Sequence, residues 1–298
     1  MSAFPEAPPG PVALAGVEGL AARFDGLIVD QWGVLHDGER PYPGALDCLE
    51  RLAAAGKPVV VLSNSGRREA ANVRLMESMG FPARLFARVV AAGEDAREAL
   101  ASRSHPFHAA LGRRCYAFTR GGDRAILEGI GLDFAARIDE ADFLAVVGID
   151  SPRRPLADYE GALREARARG LPMLCANPDL ARFHEGVLVD APGVLARRYA
   201  ELGGEVFHHG KPWPAIYGSC LAALRGLRPE RIACVGDSIE HDILGARRAG
   251  LASAFVVGGI HAAELGTVHG GEPDPRAWQA FLAGAPAVPD FRIPAFRW

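Results

Sequence analysis

The sequence is poor in every feature that would commit it to a membrane, a zinc framework or a nucleic acid. Its five cysteines, Cys48, Cys115, Cys175, Cys220 and Cys234, are scattered with no C-x-x-C pair. That spacing argues against a zinc site or a disulfide framework and suits a reducing compartment. There is no basic excess: 33 Lys and Arg stand against 36 Asp and Glu, a formal net charge of -3. Nothing is left over to neutralise the phosphates of a nucleic acid or an anionic bilayer. No apolar run approaches the roughly 18 residues that a membrane span needs. The opening "MSAFPEAPPGPVALAG" has an apolar patch with no basic stretch before it, so no secretory leader is expected. The chain has no internal repeat and no long low-complexity segment. The glycines of "VVGGIHAAELG" (256–266) miss the G-x-G-x-x-G spacing of a dinucleotide site. The expectation is a soluble, cytoplasmic protein with neither nucleic-acid nor membrane partners.

What is present is the pattern of a globular α/β protein. Hydrophobic residues make up 49% and charged residues 23% of the 298, ordinary values for such a chain. The length is enough for a large core and for two domains. Apolar runs at 27–30, 58–63, 143–149, 171–176, 231–236 and 253–257 predict strands. Amphipathic stretches at 43–56, 66–80, 94–102, 157–169, 192–202, 213–225 and 239–250 predict helices. Alternation of the two predicts parallel βαβ units, and unbroken rather than alternating hydrophobicity predicts strands covered on both faces. A doubly wound parallel sheet is therefore expected, as in Rossmann-like cores. Gly56, Gly80, Gly170 and Gly250 follow helices where a left-handed cap favours glycine. Residues 93–187 are expected to form an inserted α/β domain, because strand-end polar signals lie on both sides of it. The core would then be 1–92 plus 188–298. The tail "GAPAVPDFRIPAFRW", rich in proline and aromatics, is expected to wrap the surface or meet a partner.

Four pieces are expected to meet where the strands end, because ligands of open parallel sheets bind at the strands' carboxyl ends. Asp30 ends the first apolar strand in "LIVDQWGVLHDG". Ser63-Asn64 lead from a strand into a helix in "VVVLSNSGRR", where hydroxyl and backbone N–H groups suit an oxyanion. Lys211 stands in "HHGKPWP", and Asp237 and Asp242 stand in "CVGDSIEHDI". Three carboxylates around one phosphate require a cation, and Mg²⁺ takes carboxylates, carbonyls and phosphate oxygens together. With Mg²⁺ and Lys211 masking the repulsion, an oxygen of Asp30 can attack phosphorus. Each piece alone is ordinary: a strand-end Asp or Ser is usually a cap, and a lone Lys is usually solvated. Their order and number carry the argument.

At these residues the chain resembles the haloacid dehalogenase-like hydrolases. Within them it is most similar to the class IIA subgroup of NagD-type sugar phosphatases and of phosphoglycolate and pyridoxal phosphate phosphatases. The resemblance rests on "DQWGVLHDG" (30–38), "VLSNS" (61–65), "NPD" (177–179), "HGKP" (209–212) and "VGDSIEHDILGA" (235–246). It implies a Mg²⁺-dependent phosphohydrolase acting on a small phosphorylated metabolite, such as a sugar phosphate, through an aspartyl phosphate on Asp30. By the same resemblance Asp30, the main-chain carbonyl of Trp32, Asp237 and Asp242 hold the metal. Ser63 and the Asn64 backbone bind the phosphoryl group, and Lys211 bridges it to Asp30. Asp179 faces the substrate, and the 93–187 insertion is a cap that selects it. A homodimer is admitted as one assembly.

The chain departs from that pattern at Trp32, where the family's usual D-x-D-G motif has a second Asp serving as general acid and base. Indole offers no proton at neutral pH, and a positioned acid or base is worth roughly 10²- to 10⁴-fold in rate. Three readings follow. Substrates could be restricted to good leaving groups; His36, Asp37, His184 or Glu185 could supply the proton; or the chain could be a catalytically weak phospholigand-binding or regulatory protein. Trp32 itself is expected to pack beside the metal site. Glu240 and His241 are expected to face solvent, and Arg67-Arg68 to form a solvated helix start. His208 and His209 are not expected to pair on a metal, because adjacent strand residues point to opposite faces.

Overall fold

The computed structural model describes residues 10–184 and 187–298, without the side chains of Phe183 and His184. Its larger sheet has seven strands in the order Val12–Ala13, Phe291–Ile293, Ala252–Val256, Ile232–Gly236, Gly26–Asp30, Val59–Ser63 and Arg88–Ala91. Gly26–Asp30 pairs in parallel with Ile232–Gly236, which pairs in parallel with Ala252–Val256. The central runs Leu27–Val29, Val59–Leu62 and Ile232–Val235 are buried, as continuous apolar strands covered on both faces must be. The α/β expectation holds.

Two compact units emerge. The first takes the chain up to Val61, then Glu77–Arg88 and Cys220–Trp298; the second takes Leu62–Met76 and Val89–Ser219. In the seven-stranded sheet, the order of strands reverses between Gly26–Asp30 and Ile232–Gly236. The chain winds to one side through 59–63 and 88–91, and to the other through 252–256 and 291–293. Such a switch point opens a crevice at the carboxyl ends of the two adjacent strands. Asp30 ends one of them, and Asp237 follows the other directly.

The second unit has a five-stranded sheet in the order Val206–His208, Met173–Cys175, Phe143–Val146, Arg114–Phe118 and Asp133–Phe134, paired in parallel throughout. Leu144 and Val146 pack with Met173, Tyr159, Leu163 and Tyr199 on one face, while Phe143 and Ala145 pack with Leu100, Cys115 and Leu174 on the other. A hairpin pairs Ala181–His184 with Val187–Asp190 in antiparallel fashion. Position 187 thus falls at the start of a hairpin strand, and the sheet takes its edge strand from Val206–His208 further on.

Most expected elements form, with trimmed ends. Glycines 56, 80, 170 and 250 all have positive φ, between 66° and 88°, as helix-ending caps require. Two expectations fail. The expected helix 239–250 is a one-turn π-helix, Ile239–Ile243, followed by the α-helix Leu244–Arg248. The C-terminal tail is not a surface wrap: Phe291–Ile293 is a sheet strand parallel to Ala252–Val256, and Ile293, Ala295 and Phe296 are fully buried. Prolines at 286, 289 and 294 masked it, since proline marks a sequence against strand. The Asp290 carboxylate secures its entry by accepting from the Ser253 N–H (2.8 Å) and hydroxyl (3.0 Å). Among the described residues no helix is long and apolar enough to cross a membrane.

Candidate active site

Asp30, Asp237 and Asp242 form one cluster in the first unit, with a carboxylate oxygen of each within 4.8 Å of the others. Asp237 and Asp242 are buried and Asp30 is half-buried. The backbone builds the cluster by close approach. Gly33 has φ +78°, and a Cβ there would overlap the Asp237 carboxylate. A Cβ on Gly259 would overlap the same side chain, and one on Gly236 would overlap Asp242. Glycine is required at 33 on two counts, conformation and space.

Each carboxylate also has a backbone donor. Asp30 accepts from the Gln31 N–H (2.7 Å), Asp237 from the Ile260 N–H (2.7 Å) and Asp242 from the Ser238 N–H (3.1 Å). The π-helical turn is what delivers Asp242. The N–H groups of Asp242 and Ile243 both donate to the Ser238 carbonyl (2.9 and 3.2 Å), and the Ser238 hydroxyl accepts from the His241 N–H (3.2 Å). Single π-turns of this kind gather at functional sites. The Gly259-Ile260 support left no readable motif, because it acts through a backbone N–H and a missing side chain.

All three clustered donors are carboxylate oxygens, two of them buried. Crowded negative charge of this sort is costly alone and fits a hard divalent cation. No other group of three such ligands lies among the described residues.

The turn after Asp30 places the residues proposed to replace a proton donor. Trp32 is 38% exposed; its indole lies against Gly38 and meets the His36 ring edge-on, centroids 5.0 Å apart. It therefore packs on its own loop. His36 is fully buried, its Nδ1 accepts from the Gly38 N–H (2.9 Å), and its Nε2 has no hydrogen-bond partner among the described residues. Burial pushes His36 down to about 4, so at neutral pH it is an uncharged imidazole with no acidic proton to give. Asp37 is exposed and caps the turn, accepting from the N–H groups of Glu39 and Arg40 (2.8 Å each). Burial raises its carboxyl, but those two N–H groups outweigh it and hold the group below its ordinary value. Glu185 and the side chain of His184 lie outside the described residues.

A second group gathers in the second unit. Lys211 is 3% exposed, far from the solvated surface lysine that its type predicts. Asn64 grips its peptide on both sides: Oδ1 accepts from the Lys211 N–H (2.7 Å), and Nδ2 donates to the Lys211 carbonyl (3.2 Å) and to Asp179 Oδ1 (2.8 Å). A Cβ on Gly210, φ +101°, would press on Asn64 Oδ1. Asp179 is half-buried, and its N–H donates to Asn177 Oδ1 (3.1 Å), which closes an Asx turn on Asn177. The buried Ser63 hydroxyl accepts from the Ser65 N–H (3.3 Å). Of the residues expected to meet in one crevice, the structure brings Asp30, Asp237 and Asp242 together in the first unit and Asn64, Asp179 and Lys211 together in the second.

The lesser expectations divide. His208 stacks on Trp213 (centroids 4.1 Å, 10° apart) while His209 turns to Asp95 and His108, so the two point apart. Arg67 is exposed, but Arg68 is only half-buried and pairs with Glu94 at 2.7 Å. Glu240 is exposed, whereas His241 is partly buried. Asp95, 114 residues from His209 along the chain, was missed, because a helix-start Asp is ordinary in sequence.

Residues 27–133 and residues 81–250 each match a haloacid dehalogenase-like hydrolase family. Human chronophin is 30% identical over 264 residues, covering 83% of this chain and 85% of its own length. The human glycerol-3-phosphate phosphatase is 28% identical over 270 residues, 82% of each chain. Among solved structures, a haloacid dehalogenase-like hydrolase from Brucella suis 1330 is 29% identical. It superposes with a TM-score of 0.79 over 95% of this chain and 99% of its own. With that breadth of match, and with strand-end carboxylates clustered at the switch point, this chain belongs to the haloacid dehalogenase-like hydrolases.

Proposed function

We propose that the chain is a Mg²⁺-dependent phosphatase of the NagD-like class, acting on a small phosphorylated metabolite through an aspartyl phosphate on Asp30. The observation that carries the reading is the Asp30–Asp237–Asp242 cluster, with oxygens within 4.8 Å of one another. Asp30, Asp237 and Asp242, with the Trp32 carbonyl, would hold the metal. When bound, a hard divalent cation neutralises charge on these carboxylates and on the phosphoryl oxygens.

The protein's own residues then divide the work. An Asp30 oxygen attacks phosphorus; the bond from phosphorus to the substrate's leaving oxygen breaks, and that oxygen takes up a proton. Water next attacks the phosphorus of the aspartyl phosphate, and the P–O bond to Asp30 breaks to give inorganic phosphate and free Asp30. Ser63 and the Asn64 backbone bind the phosphoryl oxygens. Lys211, its peptide fixed by Asn64, offsets negative charge on Asp30 and the phosphoryl group. The inserted 93–187 segment acts as a cap that selects the substrate, with Asp179 on its substrate side.

Trp32 favours one refinement. A neutral, buried His36 and a turn-capping Asp37 leave the loop without an evident acid, so substrates with good leaving groups are turned over best. Weak hydrolysis, with the site retained to bind phosphorylated ligands, is the second reading that Trp32 supports. The test is release of inorganic phosphate from a metabolite panel with Mg²⁺, comparing wild type with Asp30→Asn. Turnover abolished in the variant is expected. A panel on which the wild type is no faster than Asp30→Asn removes the hydrolase reading.

A further inference from the structure

Two residues before Lys211, a chain of three side chains, two of them buried, has no place in the chemistry above. His209 Nδ1 lies 2.6 Å from Asp95 Oδ2, and His209 Nε2 lies 3.0 Å from His108 Nε2. His108 and His209 are 1% and 4% exposed. His108 packs edge-on against Phe207 (4.7 Å) and Phe107 (5.4 Å), and its Nδ1 has no hydrogen-bond partner among the described residues.

Proton bookkeeping fixes the state of this chain. The Asp95 carboxylate accepts, so His209 Nδ1 carries a proton. If His209 is neutral, the hydrogen between the two rings sits on His108 Nε2, and the unpartnered Nδ1 of His108 is a bare lone pair. If either ring is charged, His108 Nδ1 instead bears an N–H buried against phenyl rings with nothing to accept it. An orphaned buried N–H or lone pair costs a similar amount, roughly 1–3 kcal/mol, but burial disfavours a charged ring, so the neutral arrangement wins. Burial also pushes His108 down to about 4. The charged and titratable groups around the rings are Asp95 on the helix Ala92–Ser102, Arg103 after it, His105 beside the helix Pro106–Ala110, and His208 on the strand Val206–His208.

We propose that Asp95, His209 and His108 form a positioning relay that fixes the backbone on which Lys211 meets its anion. The inference rests on reading Lys211 as a phosphoryl ligand. The physical reason is Gly210. It stands between His209 and Lys211 at φ +101° and has no side chain of its own to be held. The His209 N–H donates to the Cys175 carbonyl (2.8 Å), the relay locks its ring, and Asn64 takes the chain again at Lys211. Loss of the ring anchor would free the pivot at Gly210 and spread Lys211 over several placements.

The test has two arms. Long-range ¹H–¹⁵N correlation of the labelled wild type at neutral pH is expected to show His209 as the Nδ1–H tautomer and His108 as the Nε2–H tautomer. The second arm measures inorganic phosphate affinity with Mg²⁺ for wild type, His108→Phe and His108→Gln, each checked for native melting. His108→Phe removes the donor to His209 and is expected to weaken phosphate about tenfold; His108→Gln, which keeps an N–H near that place, is expected to restore it to within about threefold.

A His209 proton on Nε2 at neutral pH overturns the relay whatever the variants do. So does a folded His108→Phe whose His209 signals have moved while phosphate binds as in wild type. A wild type that binds no phosphate defeats this inference and the phosphatase reading together. One that binds phosphate but hydrolyses no ester defeats only the latter.

Discussion

Gly33→Ala tests how the first unit holds its carboxylates. At φ +78° an alanine pays the left-handed backbone cost of about 1–2 kcal/mol. Its Cβ also overlaps the Asp237 carboxylate, which cannot retreat without loosening the 2.7 Å hydrogen bond from the Ile260 N–H. A hydrogen bond to a charged group is worth about 1.5–3 kcal/mol, so the total should reach about 2–5 kcal/mol. Gly56→Ala is the matched control: φ is +67° with nothing within 4 Å of the added carbon, so it pays the backbone cost alone. Thermal melting should place Gly33→Ala well below Gly56→Ala, by roughly 2–4 °C for each extra kcal/mol in a chain of this size. Calorimetric titration with Mg²⁺ should show at least tenfold weaker binding for Gly33→Ala, equivalent to about 1.4 kcal/mol, and wild-type affinity for Gly56→Ala. Equal metal affinity in the two variants would refute the claim that close approach at Gly33 sets the Asp237 carboxylate.

Three further outcomes are expected. Trp32→Asp should raise turnover of alkyl phosphates by roughly 10²-fold, within the range for a positioned acid, and raise p-nitrophenyl phosphate much less; equal gains, or none, would show that leaving-group protonation is not what the native loop lacks. Stability should fall as pH drops from about 6.5 to 4, because buried His36 and His108 are held near 4 while the unfolded chain takes up their protons from about 6.5. The slope is at most about 1.4 kcal/mol per pH unit for each ring; a melting temperature that stays flat from pH 6.5 to 5 speaks against it. Glu160, held near 2 by its hydrogen bond to Arg198, keeps its stabilising charge through most of that window and loses it only as pH falls from about 4.5 toward 2. Phe296→Ala should cost about 3–5 kcal/mol, the usual loss for a buried aromatic, although the residue lies two from the C-terminus; chemical denaturation that shows under 1 kcal/mol would return the tail to the surface.

The sequence by itself determined the class of fold and singled out the chemistry-bearing residues as candidates; which of them gather with which was left to the structure. Unbroken apolar runs such as 27–30 and 231–236 mark doubly covered parallel strands, and the carboxylates that end them mark a crevice before any coordinate is known. Glycine caps at 56, 80, 170 and 250 were legible for a similarly local reason, since one residue's φ decides them. Tertiary structure alone decided the rest. The strand 291–293 lies between prolines, and only its neighbour Ala252–Val256 makes it a strand. The π-turn at 239–243 carries Asp242 to the Ser238 N–H, a competition between side chain and helix that no periodicity records. Support of Asp237 by Gly259-Ile260, and of His209 by Asp95 and His108, comes from partners 22 to more than 100 residues away. Hydrophobic period and backbone preference act over a few neighbours, so a sequence displays them; a close approach or a buried hydrogen bond exists only once distant segments have packed.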